Sequence, residues 1–100
     1  MEPIFHITDA EQWYAAAATG VYTGSTRGKS LDEVGFIHCS FAHQVQPTGS
    51  LIYRDATEPL VVLTIDPSLV EAEIKIEQEF PHIYGPLFTS AVTEVTPFHA

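Results

Sequence analysis

Positive charge is scarce in this chain. Its 100 residues carry only Arg27, Lys29, Arg54 and Lys75 against thirteen Asp and Glu, for a formal net charge of -9. Duplex nucleic acid and anionic membrane surfaces are gripped through many Lys and Arg contacts, so this balance argues against both as partners and leaves a single nucleotide or a few. Cysteine is scarcer still. Cys39 stands alone, which rules out an internal disulfide, offers no paired thiols for zinc, and fits a reducing compartment, read here as the cytosol. No apolar stretch approaches the roughly 20 residues needed to span a bilayer, and Met1-Glu2-Pro3 opens without the basic and apolar regions of a targeting signal. Internal repeats, low-complexity tracts, a Walker A loop, a dinucleotide fingerprint and a His-Glu-x-x-His pair are all missing.

What remains is a chain with 45% hydrophobic residues, enough for a single domain over residues 1–100 that buries roughly 60 to 65% of its unfolded surface. Residues 4 to 8 alternate as a strand, and Thr8-Asp9-Ala10-Glu11 matches a capping box that opens a helix to Ala18, with Gly20 placed as its C-terminal cap. Val21-Tyr22 reads as a short strand, Thr23 to Lys29 as a loop, and Gly35 to Cys39 as a strand. Phe41 to Tyr53 reads as a helix broken or kinked at Pro47. Leu60 to Ile65 is a continuous apolar run suited to a central strand buried on both faces. Glu71 to Phe80 alternates, with Glu71, Glu73, Lys75, Glu77 and Glu79 on a wet face, and Leu87 to Val95 supplies a last strand. The expected class is α+β, with five or six strands in a small split antiparallel or mixed sheet and two helices.

Three histidines carry the chemistry. His6-Ile7-Thr8, His38-Cys39-Ser40 and His82-Ile83-Tyr84 each place a hydroxyl two residues after an imidazole in a strand-like context. In an extended strand those two residues share a face, which is how a sheet lines a polar pocket. Each histidine also has a bland reading, as a core residue satisfied by backbone and a neighbour. Pro81, Gly85 and Pro86 fix the backbone around His82 and Tyr84, as a ligand clamp or as a tight corner. Glu77 is a candidate carboxylate for a ribose or a developing cation; its parity puts it on the solvated face unless a bulge near Gln78 reverses it. Cys39 points away from His38 by the same parity and reads as a buried thiol, while His43 and His99 read as surface residues. Arg27 and Lys29 in their Gly/Ser/Thr loop fit either a pyrophosphate contact or a mobile surface loop.

Those segments, together with the Trp13 helix, Gly35-Phe36-Ile37-His38-Cys39-Ser40, Gln44, Ile65-Asp66-Pro67, Glu77 and Phe80 to Leu87, resemble the small bacterial family catalogued as domain of unknown function 952. That family is similar in fold to the ADP-ribosyltransferase superfamily, and His6-Ile7-Thr8, Gly20 and His38-Cys39-Ser40 echo its RNA 2'-phosphotransferase branch. The resemblance implies that His6 contacts a nicotinamide ribose and that His38 or Ser40 takes the second-strand role, with NAD as the cofactor. Ile7 replaces the glycine of the pattern, and no glutamate falls securely at its third motif.

Three functions are therefore expected. The first is an enzyme or enzyme-like domain that binds a nucleotide-type small molecule. His6, His38, His82, Tyr84 and Glu77 would form its catalytic set, and Thr8, Ser40, Gln44 and Gly85 its ligand-binding set. The second is a non-catalytic module for a small metabolite or a partner, and the third a metal-dependent hydrolase using the histidines. No metal set is assigned.

Overall fold

A computed structural model describes all of residues 1–100. Strand β1 (Ile4–Asp9) runs into helix α1 (Ala10–Thr19), which starts where the Asp9 carboxylate accepts the Gln12 amide and stops at Gly20, whose φ of 89° is a left-handed cap. The cap residue is thus Asp9, one position after the Thr8 of the expected box. After the short strand β2 (Val21–Tyr22) comes helix α2 (Leu31–Val34), which the sequence reading did not include and which lies directly before the expected Gly35–Cys39 strand. Ser30 and Glu33 cap it reciprocally and Gly35 ends it at φ 97°, so only Ile37–His38, strand β3, remains extended.

Helix α3 (Val45–Tyr53) follows a 3-10 turn at Ala42–Gln44. Pro47 neither breaks nor kinks it, because it lies in the first turn, where backbone amides have no intrahelical acceptor to lose. Strand β4 (Leu60–Ile65) is central, as its apolar run implied, between β1 and β8 (Val92–Phe98). The expected Glu71–Phe80 strand ends early, as β5 (Glu73–Glu77), and turns at Gln78 and Glu79 into an antiparallel partner, β6 (Phe80–Tyr84). The expected final strand is likewise split, into β7 (Leu87–Phe88) and β8 by a 3-10 turn at Thr89–Ala91.

The domain is α+β, and every strand pairing is antiparallel: β1-β4-β8, β3-β6-β5 and the pair β2-β7. Backbone hydrogen bonds between Phe5 and Ser40, at 2.8 and 2.7 Å, join the edge of β1 to the chain leaving β3, so the two larger sheets meet at that point. One face of β4 presents Val61, Leu63 and Ile65 to the main core, with Ile4, Ile37, Ile83 and Leu87. Its other face gives Leu60 and Val62 to a second core with Ile7, Tyr53 and Phe98. Two-sided burial is what the unbroken apolar run of this strand encodes. Helix α3 reaches the second core through Gly49, where a Cβ would lie 2.2 Å from the Phe98 ring and 2.7 Å from Ile7 Cδ1.

Candidate functional site

Cross-strand partners in an antiparallel sheet project to the same face. His38 pairs with His82, Lys75 with His82, Glu73 with Tyr84 and Glu77 with Phe80. One face of the small sheet therefore collects His38, His82, Tyr84, Phe80, Lys75, Glu73 and Glu77. The opposite face sends Ile37 and Ile83 into the core. The solvated face read from the sequence and the histidine face are one and the same, and Glu77 reaches His82 without any bulge.

On that face four side chains form a hydrogen-bonded series. The Tyr84 hydroxyl donates to Glu77 Oε1, His82 Nδ1–H donates to the same oxygen at 2.8 Å, and His82 Nε2 lies 3.3 Å from His38 Nδ1. Phe36 stacks on the His82 ring with centroids 4.1 Å apart, and Phe80 lies 5.0 Å from the His38 ring. The hydrogen bonds from Tyr84 and then His82 hold the Glu77 carboxyl below the usual carboxylate range, and Glu77 in turn pushes the Tyr84 phenol up. Desolvation, followed by the neighbouring His82, holds His38 below the ordinary histidine value.

With Glu77 ionised, His82 carries its proton on Nδ1, which leaves Nε2 as an acceptor for His38 Nδ1–H. His38 Nε2 then has a free lone pair. That alternation is a carboxylate–imidazole–imidazole relay ending in a base, built on the logic by which one group orients and polarises the next.

His6 is employed differently from the expected ribose contact. It is 3% exposed, its Nδ1–H donates to the His38 carbonyl oxygen at 2.6 Å, and its Nε2 accepts the Tyr22 hydroxyl at 2.7 Å. Both nitrogens are occupied by the fold, and burial pushes the imidazole down to about 4. Thr8 is buried beside it, and Ser40 is buried with its backbone paired to Phe5. His38 and His82 meet ring to ring, but His6 touches only the backbone of His38.

A single cleft for His6, Thr8, His38, Ser40, His82 and Tyr84 is therefore not formed. The cavity between His6, Ser25, Arg27, His38, Ser40 and Tyr53 is about 20 Å³, room for about one water rather than a nucleotide. Larger depressions of about 420 and 450 Å³ lie beside Gln12, Lys29 and Glu33 and beside Arg54 and His99, away from His6, His38 and His82.

The remaining candidates are tied into the fold. Gln44 Oε1 accepts the Phe41 amide and its Nε2 donates to the Glu79 carbonyl, each at 2.8 Å. Gly85 runs so close to Ala72 that a Cβ would lie 2.7 Å from the alanine methyl. Arg27 is committed to Asp55 at 2.6 Å and to the Ile52 carbonyl at 2.9 Å, and Lys29 lines the 420 Å³ depression. Cys39 is buried and its thiol is pushed up by desolvation. His43 and His99 are exposed. No group of three His, Cys, Asp or Glu side chains is arranged to hold a metal ion.

Sequence reasoning passed over Tyr22, Phe36 and Phe80. The last two were legible, since Phe36 shares parity with His38, and Phe80 with His82 and Tyr84.

Residues 7–95 match the model of a family described as protein of unknown function (DUF952). The crystal structure of protein CC0527 from Caulobacter crescentus is similar, with TM-score 0.80 and 31% identity over 97% of this chain and 86% of that one. Its solution NMR structure gives TM-score 0.70 at 31% identity, over 96% of this chain and 84% of that one. No curated protein matches the sequence.

Proposed function

The chain belongs to the DUF952 family, and we propose that it binds a nucleotide-type small molecule on the histidine-bearing face of its β3-β6-β5 sheet and exchanges a proton with it through His38. The observation that carries this reading is the series Tyr84, Glu77, His82, His38. A ligand hydroxyl, or a water beside a ligand, gives its proton to His38 Nε2. The positive charge that develops on His38 is stabilised through His82 by the Glu77 carboxylate, the electrostatic work that such a carboxylate does best when already fixed in place. Because His38 is held below the ordinary histidine value, it is unprotonated and ready as a base near neutral pH.

The finer reading, NAD as the ligand and ADP-ribosyl-transfer-like chemistry on a fold like that of ADP-ribosyltransferases, rests on the resemblance to that superfamily, and the cytosolic location on the lone Cys39. Glu77 supports it, because a carboxylate held by two hydrogen bonds is the group a ribosyl cation requires. Phe36, Phe80 and Tyr84 supply ring surfaces for a base or nicotinamide. His6 enters this reading as a buried support beneath His38 rather than as a ribose contact.

One feature favours a non-catalytic module instead. The cavities of about 420 and 450 Å³ lie away from the relay, and the one that His38 lines is about 20 Å³, too small to hold a ligand apart from water. Calorimetry with NAD, ADP-ribose and adenosine, followed by mass spectrometry of the mixture after hours, separates the two. Heat with at least one compound, lost in His38→Ala, together with a changed ligand mass, is the enzyme outcome. Heat with an unchanged ligand is the module outcome. No heat from any of the three, or binding indifferent to His38→Ala, overturns the proposal.

A further inference from the structure

We infer that Gln44 is a positioning residue for the Glu77 carboxylate, acting through the turn that joins β5 to β6. The inference rests on the relay described above and deepens it. Glu77 is the last residue of β5 and pairs with Phe80 across a turn of only two residues, Gln78 and Glu79. Both have positive φ, 52° and 73°. Two consecutive left-handed residues match the right-handed twist of a tight hairpin, but they are the positions where Asn-Gly is at ease and where longer side chains carry a steric cost. The sequence has placed Gln and Glu there. Residues in this region persist when their surroundings over-determine them, and such places gather at functional sites.

Register explains why the turn matters to the relay. A slip of one residue moves a side chain to the other face of the sheet. Glu77 would then point to the face that Ile83 takes, rather than with His82. The pairing of β5 cannot guard against this from its outer side, because β5 is the edge strand of its sheet.

Gln44 is the one side chain hydrogen-bonded to the turn from outside the hairpin. Its Nε2 donates to the Glu79 carbonyl at 2.8 Å. The orientation of its amide is set at the other end, where Oε1 accepts the Phe41 amide at 2.8 Å. Phe41 directly follows Ser40, whose backbone is paired with Phe5 of β1. The strained turn is thereby tethered, through one amide, to the segment that leaves β3 and carries His38.

The test uses the full chain without ligand, reading the Glu77 carboxyl titration and the His82 ring nitrogens by NMR beside the melting temperature. In the unmodified protein His82 shows Nδ1–H bonded to Glu77; if it does not, the relay itself fails, independently of Gln44. Gln44→Ala should move the Glu77 titration up toward the ordinary carboxylate range and weaken the Nδ1–H signature. Gln78→Asn with Glu79→Gly, added to Gln44→Ala, supplies a turn at ease with positive φ and should restore both signals without the clamp. If Gln44→Ala does not fold, Gln44→Glu keeps the acceptor for Phe41 while removing the donor to Glu79, and the same double change should rescue it. A lower melting temperature with unchanged Glu77 and His82 signals, or no recovery with Asn-Gly, reduces Gln44 to a cap of the 3-10 turn and overturns the inference.

Discussion

Acidification should destabilise the protein through His6 before most of its carboxylates are protonated. The imidazole is buried, with its Nδ1–H on the His38 carbonyl and its Nε2 accepting from Tyr22, and burial lowers it from 6.5 to about 4. A histidine held neutral in the fold and ordinary in the unfolded chain binds more protons when unfolded, so stability rises with pH across the window between those values. Above about 6.5 the effect is absent; it grows as pH falls, and it is complete below about 4. At about 1.4 kcal/mol for each tenfold change the full loss is about 3 kcal/mol, and about 2 kcal/mol of it is reached near pH 5. That is a large share of the roughly 5–15 kcal/mol by which domains are stable. His38 pulls in the same direction, and Glu77 adds a loss at lower pH, as its carboxyl becomes protonated. Urea unfolding at a series of pH values, for the unmodified protein and for His6→Gln, isolates the His6 share. His6→Gln should be less stable near pH 7 but flatter between pH 7 and 5 by about 2 kcal/mol. Equal slopes in the two proteins, or a His6 proton resonance that titrates near 6.5 in the folded state, would refute the argument.

Other outcomes follow from single contacts. Tyr22→Phe removes the donor to His6 Nε2 and should cost about 1–3 kcal/mol in denaturant unfolding, because the imidazole keeps a buried acceptor with no partner. Gly49→Ala should lower the melting temperature despite the helix preference of alanine, about 1 kcal/mol, since overpacking against Phe98 and Ile7 costs about 1–3 kcal/mol. Tyr84→Phe should let the Glu77 carboxyl titrate closer to the ordinary range, read by carboxyl carbon shifts, because the first of its two stabilising hydrogen bonds is gone. Cys39 should react slowly with a thiol reagent in the native protein and rapidly in denaturant, since it is buried and its thiol resists ionisation.

Local chemistry made several elements readable from the sequence. Gly20 after an alanine-rich run can only close α1, and the unbroken apolar stretch Leu60 to Ile65 is a strand with two buried faces. Ser30 and Glu33 form a capping box that was equally visible and announces α2. The turn inside Glu71 to Phe80 was hidden, because it uses Gln and Glu instead of glycine or asparagine and leaves the alternation of charge intact.

The site divides along the same line. Parity along a strand determined that His38, His82, Tyr84 and Glu77 are polar positions on sheet faces, and that Cys39 turns inward. It also gave His6 and Thr8 the same look, since a buried polar pair and a ligand-facing pair have one alternation pattern. Only the tertiary structure decided between them. Its antiparallel register sets His38 opposite His82 and brings Glu77 round a tight turn to meet both His82 and Tyr84. The joint of β1 with Ser40 closes His6 beneath the His38 carbonyl. A side chain's direction is local and written in the strand, whereas the partner it meets depends on which distant strand the chain folds beside it.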